Sequence, residues 1–202
     1  MRKPALIVID MENDFLKTWL HASREGLVRS MQELLALVRG FGHPVVWVKQ
    51  VFEPDLSDAF AEMRQKGIRV TIRGTAGAKI VPQLHVGPLD AIVIKKRYSA
   101  FFGTGFDQLL GELAVDTLIL AGVNTHACIR MTAVDTYQRD WPVILAGDCI
   151  GSYDQEHHDI SLRYMKDKIA RVMTNAEIAA ALRKTVVAEG AANGAAGGSS
   201  SE

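Results

Sequence analysis

Of the two cysteines in the chain, Cys128 stands where a thiol can act as a nucleophile. It follows the apolar run of residues 117–121 and Gly122, and apolar residues at helical spacing begin at Ala127. This pattern predicts a strand, a tight loop and a helix that begins at the thiol, the arrangement of a nucleophile elbow. First-turn amides lack intrahelical partners and the helix dipole is positive there, so the pattern also predicts a thiol that ionises readily.

The alternative interpretation of Cys128 is a buried core thiol, the usual state of a free cysteine. Residues elsewhere in the chain favour the catalytic interpretation. Asp10 directly follows the buried apolar run of residues 5–9, and Lys95 directly follows residues 91–94. In open parallel sheets, ligands bind at the carboxyl ends of the strands. We therefore expect Asp10, Lys95 and Cys128 at one edge of a sheet.

Lys96 and Arg97 follow Lys95 directly, and their predicted role is a solvated strand end. Asp10 also has a second interpretation, a carboxylate that only hydrogen-bonds the turn after its strand.

The remaining sequence supplies the elements that must position these residues, because short apolar runs alternate with amphipathic stretches. The predicted strands are residues 5–9, 45–48, 91–94, 117–121, 142–146 and 169–173. The predicted helices are residues 27–41, 57–66, 104–113, 157–165 and 175–183, and a further one that begins at Ala127. This alternation predicts an α/β fold, a three-layer α/β/α domain with a six-stranded, mostly parallel, Rossmann-like sheet.

The domain is expected over residues 1–187, a length that can bury a single core. Residues 188–202 are rich in Ala, Gly and Ser and are expected to be a disordered tail.

Composition excludes several classes of protein. The chain has 202 residues, 48% of them hydrophobic, and 23 basic residues balance 23 acidic ones. This balance predicts neither a nucleic-acid surface nor a membrane surface. The amino-terminal apolar run is too short for a signal peptide, so we expect a cytoplasmic protein. Two separated cysteines resemble neither a disulfide framework nor a zinc site.

Four segments together carry a resemblance to a known family. They are Ile7–Phe15, Gly74–Ile80, Lys95–Phe101 and Gly122–Cys128. In this order they resemble the isochorismatase-like cysteine hydrolases over roughly residues 4–180. The resemblance implies a catalytic triad of Asp10, Lys95 and Cys128. It also implies a cis peptide bond before Asn124, whose amide would form an oxyanion hole with the amide of Cys128.

The resemblance further implies the strand order 3-2-1-4-5-6 and a homo-oligomer, either a dimer or a tetramer. With that order Lys95 starts two strands away from Asp10 and must reach inward.

The residue types of this triad fit the hydrolysis of an amide. Asp10 would take the thiol proton, Cys128 would attack a carbonyl carbon, and water would cleave the thioester. The charge of Lys95 would favour the ionised forms of both acids, and Lys95 could act as the base only if it were neutral beside a carboxylate. The expected substrate is a small linear amide, ureido or carbamoyl compound that releases ammonia or an amine.

Departures from the family narrow this expectation. Residues 49–55 lack the metal-binding Asp and His group that nicotinamidases of the family carry there, so we expect no metal and no cofactor. Isochorismate-type vinyl-ether hydrolysis, with Asp10 as the acid, needs no thiol and stays an alternative function. A non-catalytic member that only binds is a second alternative. Glu12 stands where the family commonly has Gln.

The expected substrate contacts are residues adjacent to the triad motifs. They are Phe15, Tyr98, Phe102, Asn124 and His126. The three aromatic side chains are predicted to wall a narrow slot for a small planar group. For each of these residues the alternative is plain packing or loop structure.

Overall fold

Six strands form a single parallel sheet in the computed structural model, which describes residues 3–19 and 21–196. The strands are β1 (Pro4–Ile9), β2 (Val45–Gln50), β3 (Ala91–Lys95), β4 (Thr117–Val123), β5 (Val143–Gly151) and β6 (Arg171–Met173). Their order is β3-β2-β1-β4-β5-β6, and each neighbouring pair is parallel. The predicted α/β class and strand order are therefore confirmed, and the sheet is wholly parallel.

Helices connect the strands and cover both faces of the sheet. They are α1 (Asn13–Leu16), α2 (His21–Gly40), α3 (Ala61–Lys66), α4 (Phe106–Glu112), α5 (Arg130–Tyr137), α6 (Gln155–Met165) and α7 (Asn175–Ala196), with a π-helical turn (Thr125–Ile129) directly before α5. Side chains of α2 and α7 share one core with the sheet, and side chains of α4, α5 and α6 share the other. Within the described ranges, no helix is long and apolar enough to span a membrane.

The central strands β1 and β4 are buried along their whole length, since helices cover them on both faces. Successive side chains of a strand point to opposite faces. Leu6 and Val8 accordingly contribute to the core under α2, and Ile7 and Ile9 to the core under α4 and α5. A continuous apolar sequence is what such a strand requires.

The third strand is less buried than the central strands. β3 lies at the edge of the sheet, so Ile92 is 52% exposed and Ile94 is 38% exposed. Lys95, the last residue of the strand, is nevertheless fully buried. Lys95, a charged residue, is thus the one fully buried residue of β3.

Gly122 was predicted to end the fourth strand, but β4 continues through it to Val123. Gly122 has φ +117, and a Cβ atom built on it would lie 1.9 Å from the carbonyl oxygen of Ile9. β1 and β4 therefore approach each other here at a distance that only glycine permits.

The last helix, α7, includes residues 188–196, which the sequence assigned to a disordered tail. Alanine has the highest helix propensity of all residues, which accounts for this continuation. Residues 197–202, the rest of the predicted tail, lie outside the described residues.

Candidate active site

Asp10, Lys95 and Cys128 meet at the carboxyl edge of the sheet. The Lys95 Nζ lies 2.8 Å from Asp10 Oδ2 and 3.3 Å from Cys128 Sγ. The three residues are at most 4% exposed. Asp10 follows β1 and Cys128 follows β4, so they flank the position at which the strand order reverses, where ligands bind in doubly wound sheets.

Local backbone structure aims these side chains at one another. Asp10 has φ 54, a left-handed conformation that Asp tolerates better than most residues, and its amide donates a hydrogen bond to Val48 O (2.9 Å). Lys95 is paired in register with Gln50 of β2. Its long side chain therefore spans from the edge strand, past the end of β2, to the carboxylate that follows β1.

Burial governs the proton affinities in this cluster. Burial raises the pKa of the Cys128 thiol, and the charge of Asp10 raises it further. The charge of Lys95 lowers this pKa, but by less than burial and Asp10 together raise it. The thiol is thus harder to ionise than usual, opposite to the expectation from its place at a helix start. Desolvation of a sulfur that is only 4% exposed is the largest cause of this shift.

Asp10 and Lys95 form a buried ion pair. Burial raises the Asp10 pKa, and the charge of Lys95 offsets this only in part. Burial lowers the Lys95 pKa, but the charges of Asp10 and Cys128 and the hydrogen bond to Asp10 together raise it above its usual range. We infer a resting state with an ammonium at Lys95, a carboxylate at Asp10 and a protonated thiol at Cys128.

The second carboxylate oxygen of Asp10 is available to accept a proton. Oδ2 is bound to Lys95, whereas Oδ1 is buried and has no hydrogen-bond partner among the described residues. An oxygen in that state gains free energy by accepting a hydrogen bond.

The loop before the thiol has an unusual backbone. The Val123–Asn124 peptide bond is cis. The Asn124 carbonyl accepts hydrogen bonds from the amides of Ala127 (3.0 Å) and Ile129 (3.3 Å), which makes the turn wider than in an α-helix. Cys128 lies inside this π-helical turn.

Glu12 is a second buried carboxyl group close to the triad. It is fully buried, and neither carboxyl oxygen has a hydrogen-bond partner within the described part of the chain. Burial raises its pKa well above the usual range, and the charge of Asp10 adds to this effect. The charges of Lys95 and Lys49 oppose the shift but do not cancel it. We therefore infer that the folded protein holds Glu12 as a neutral acid.

Glu12→Gln should remove a pH-dependent loss of stability. The Glu12 pKa is higher in the folded protein than in the unfolded chain, so its contribution is most favourable below the ordinary carboxyl pKa. It declines by about 1.4 kcal/mol per pH unit as the pH rises towards the folded pKa. Urea unfolding at about pH 5 and pH 8 should show a smaller decline for the variant than for the wild type.

Glu62→Gln is the control for this measurement, because Glu62 is exposed and bound to Lys66 (2.7 Å). It should reproduce the wild-type pH dependence. An identical decline in the wild type and Glu12→Gln would show that Glu12 does not hold a proton in the folded state.

Two of the five predicted substrate contacts line one cavity, and the other three do not. Phe15 and Tyr98 line a cavity of about 440 Å³ beside the triad. Asn124 is half-buried, and its Oδ1 has no hydrogen-bond partner in the described ranges. Phe102 is 65% exposed and does not line this cavity. His126 bonds through Nδ1 to Ser152 Oγ, and its ring contacts Tyr153 edge-on.

The other walls of this cavity, which we call the side cavity, were not predicted from the sequence. They include Gln50, Phe52, Phe60 and Met63. Gln50 carries a signal that could have identified it, because it ends β2 at the same sheet edge as Asp10. The remainder belong to an irregular segment, residues 51–81, which we call the cover segment. No regular pattern marks its side chains as a wall.

Two cations next to Lys95 hold the cover segment in place. Lys96 Nζ binds Asp58 Oδ2 at 2.5 Å and also donates to Val51 O. Arg97 donates to the carbonyl of Asp58 (2.9 Å), and its guanidinium lies 4.9 Å from the Phe60 ring centroid. The prediction of a solvated strand end for both residues was wrong, because they bind the segment that folds over them.

The Gly74–Ile80 motif fastens the other end of the cover segment to α1. The Asp14 carboxylate accepts a hydrogen bond from the Thr71 amide (2.8 Å), and the Asn13 amide donates to Lys79 O (3.0 Å). A Cβ atom on Gly77 would lie 2.1 Å from Asp14 Oδ2. This contact fixes the start of the helix that carries Phe15.

Over residues 3–19 and 21–196, no group of three or more His, Cys, Asp or Glu side chains is arranged to hold a metal ion.

The sheet order defines a doubly wound α/β protein, and the buried Asp–Lys–Cys cluster lies at its topological switch point. Comparison with known proteins then gives the family. Residues 4–177 match the family model of the isochorismatase domain. The chain therefore belongs to this family of hydrolases, and the resemblance read from its motifs is confirmed.

Named relatives cover most of the chain. A protein of Arabidopsis thaliana named probable inactive nicotinamidase is 32% identical over 82% of this chain and 89% of its own length. Maleamate amidohydrolase of Pseudomonas putida is 29% identical over 90% of this chain and 88% of its own length. The crystal structure of N-carbamoylsarcosine amidase from Thermoplasma acidophilum aligns with a TM-score of 0.72 and 28% identity, over 86% of this chain and 96% of that one.

Proposed function

We propose that the protein is a cysteine hydrolase that cleaves a C–N bond of a small linear amide, ureido or carbamoyl compound. The reaction passes through a thioester on Cys128 and releases ammonia or an amine. One observation carries this proposal: a buried ammonium, that of Lys95, contacts both a carboxylate and a thiol. A nucleophile, a base and a cation in direct contact are the parts that acyl transfer to sulfur requires.

In the first half of the reaction, Asp10 acts as the base. Its free Oδ1 takes the thiol proton as Cys128 Sγ attacks the carbonyl carbon, and a tetrahedral oxyanion forms. Asp10 then gives this proton to the leaving nitrogen, the C–N bond breaks, and the acyl or carbamoyl group stays on sulfur.

In the second half, water replaces the amine. Asp10 takes a proton from water as the water oxygen attacks the thioester carbon. The C–S bond then breaks, and Asp10 gives the proton to the sulfur. The product acid leaves, and the resting state is restored.

Lys95 and two backbone amides stabilise the charge that develops. The ammonium stays protonated throughout and offsets the negative charge that moves between Asp10 and the thiol. The amides of Asn124 and Cys128 are our proposed oxyanion donors, because first-turn amides of a helical segment lack intrahelical partners. Each such donor contributes about 3 kcal/mol in comparable sites.

The names of two relatives support an amide or carbamoyl substrate, since one is an amidohydrolase and the other an N-carbamoyl amidase. A third relative is named inactive, which keeps the non-catalytic alternative open to test. The contacts between Lys95, Asp10 and Cys128 favour catalysis here, because a binding protein has no use for a buried thiol and its base.

An ammonia-release assay on a panel of linear primary amides, ureas and N-carbamoyl compounds tests the proposal. We expect turnover of at least one class, and we expect it to persist in excess EDTA, because residues 49–55 offer no His cluster as metal ligands. Activity that EDTA removes and zinc or iron restores would overturn the metal-independent mechanism. Release of a vinyl-ether cleavage product with no ammonia from any amide would instead support the alternative with Asp10 as acid.

A further inference from the structure

The side cavity adjoins the triad on two sides. Gln50, one of its walls, is the register partner of Lys95 at the ends of β2 and β3. Tyr98, a second wall, lies three residues after Lys95 in the loop that follows β3. The side cavity therefore lies next to the edge of the sheet at which the three triad residues meet.

The walls of the side cavity are mainly carbon. Aromatic rings meet there, with the Phe60 centroid 5.2 Å from that of Tyr98 and 6.1 Å from that of Phe52. Ile68 and Val70 complete the surface. Walls of this kind favour rings and branched alkyl groups, since burial of apolar area gains about 25 cal/mol per Å².

Charge around the cavity does not favour an anion. The only charged residue in its described lining is Glu62, which points to solvent and pairs with Lys66. The nearby cations, Lys96 and Arg97, are bound to Asp58 and to backbone carbonyls. A substrate carboxylate placed here would lose its hydration without gaining a partner, which is costly.

One polar group in the wall is left unsatisfied. Gln50 is 4% exposed, and its Nε2 has no hydrogen-bond partner in the described part of the chain. A buried donor in that state loses its hydration without gaining a hydrogen bond in return. A neutral oxygen of the substrate would satisfy it at the boundary between cavity and triad.

Size also argues against a substrate no larger than urea. A cavity of about 440 Å³ falls in the range of small-molecule sites and exceeds the space a single ureido group needs.

We propose that the side cavity binds an uncharged apolar substituent of the substrate, an aromatic ring or branched alkyl group, while the scissile carbonyl lies at Cys128. This inference rests on the proposed function. It adds the class of substrate, a hydrophobic amide or carbamoyl compound rather than a carboxylate-bearing one, and it assigns Gln50 as the donor to a neutral oxygen.

Two probes of equal linker length test the inference. 3-Phenylpropanamide and succinamate carry a phenyl ring and a carboxylate, respectively, at the end of the same primary amide, and propanamide lacks either group. We expect kcat/KM for 3-phenylpropanamide to exceed that for succinamate by about 10- to 100-fold, from burial of the ring. Equal values, or a preference for succinamate, would overturn the inference about the side cavity. Hydrolysis of either amide would still support the proposed function.

Ile68→Lys is expected to change the preference between 3-phenylpropanamide and succinamate, and it leaves the triad residues unchanged. Ile68 lines the cavity and is 38% exposed, so Ile68→Lys places an ammonium at its rim on a site that tolerates charge. The ratio of the two kcat/KM values should fall about fivefold or more. Ile160→Lys, at 41% exposure on α6, is the matched control and should leave the ratio unchanged. An unchanged ratio in Ile68→Lys would contradict the assignment.

A binding measurement separates the two proposals if no amide is cleaved. Absence of turnover on all three amides and the wider panel would overturn the proposed function. Calorimetric titration of Cys128→Ala with 3-phenylpropanamide and with succinamate would then decide the cavity alone. Tighter binding of the phenyl compound supports an apolar subsite, and equal or weaker binding refutes it.

Discussion

Cys128→Ala is expected to lower kcat for a hydrolysed amide by about 10⁴- to 10⁶-fold, because the groups of a catalytic triad act as a unit. The fold should survive, since the change removes one sulfur atom and leaves Asp10 paired with Lys95 at 2.8 Å. Ammonia release by the purified variant measures the rate. Circular dichroism and thermal unfolding verify that the loss is chemical and not structural.

Cys149→Ala is the matched control. Cys149 is fully buried, and its thiol contacts Asn175 Oδ1 at the start of α7 (3.3 Å). Burial raises the pKa of this thiol to about 12, and its hydrogen-bond partner is an amide oxygen, which cannot act as a base as the Asp10 carboxylate does. The variant should keep its activity and lose about 1–2 kcal/mol of stability through the cavity it creates.

Retained activity in Cys128→Ala would point to a different mechanism. If Cys128→Ala kept substantial turnover, the thiol could not be the nucleophile, and Asp10 would have to act as an acid on its own. Asp10→Asn would then remove the remaining activity, which is the behaviour expected of a vinyl-ether hydrolase.

Gly122→Ala is expected to destabilise the protein by about 3 kcal/mol or more, the largest effect on stability that we predict for a single methyl group. The added Cβ atom would lie 1.9 Å from the Ile9 carbonyl oxygen, and φ is +117. β1 and β4 would have to separate at the point where Asp10 and Asn124 leave them. Urea unfolding and soluble yield measure the loss, and kcat should fall with it.

Gly111→Ala serves as the control because Gly111 lies in α4 with nothing within 4 Å of its Cβ position. Alanine is the better helix former there and should stabilise by about 0.5–1 kcal/mol. Wild-type stability in Gly122→Ala would mean that the two central strands do not approach as closely as described.

The sheet could be predicted from sequence because burial on both faces demands uninterrupted apolar runs. β1 and β4 satisfy this, and Asp10 and Cys128 were found from their positions at the ends of such runs. Lys95 was found by the same logic although β3 is an edge strand. The strand order came from the family resemblance and not from the pattern of the residues.

The proton affinity of the thiol could not be predicted in the same way. The sequence places Cys128 at the start of a helix but does not report how completely the side chain is removed from water. Burial and a neighbouring carboxylate raise the pKa of the thiol, and both are consequences of tertiary structure. Glu12 was noticed only as an unusual residue type, because its burial depends on packing that no local pattern encodes.

The side cavity was missed for a related reason. Its walls come from the cover segment, whose bends and short α3 carry no period of two or of 3.6 residues that would indicate a facing surface. Lys96 and Arg97 were assigned to solvent because their partner Asp58 and the ring of Phe60 are distant in sequence.

The cover segment is attached to the sheet but is not part of it, so evolution can alter substrate selectivity and catalytic chemistry at different rates. The proposed catalytic groups stand at strand ends, whereas the cavity walls lie mostly in a segment outside the sheet. Substitutions between residues 52 and 70 could therefore redirect the protein to a new metabolite while the chemistry stays fixed. Lys96 and Arg97 set the limit, since they bind this segment directly beside Lys95. Lengthening the chain there would disturb selectivity and catalysis together.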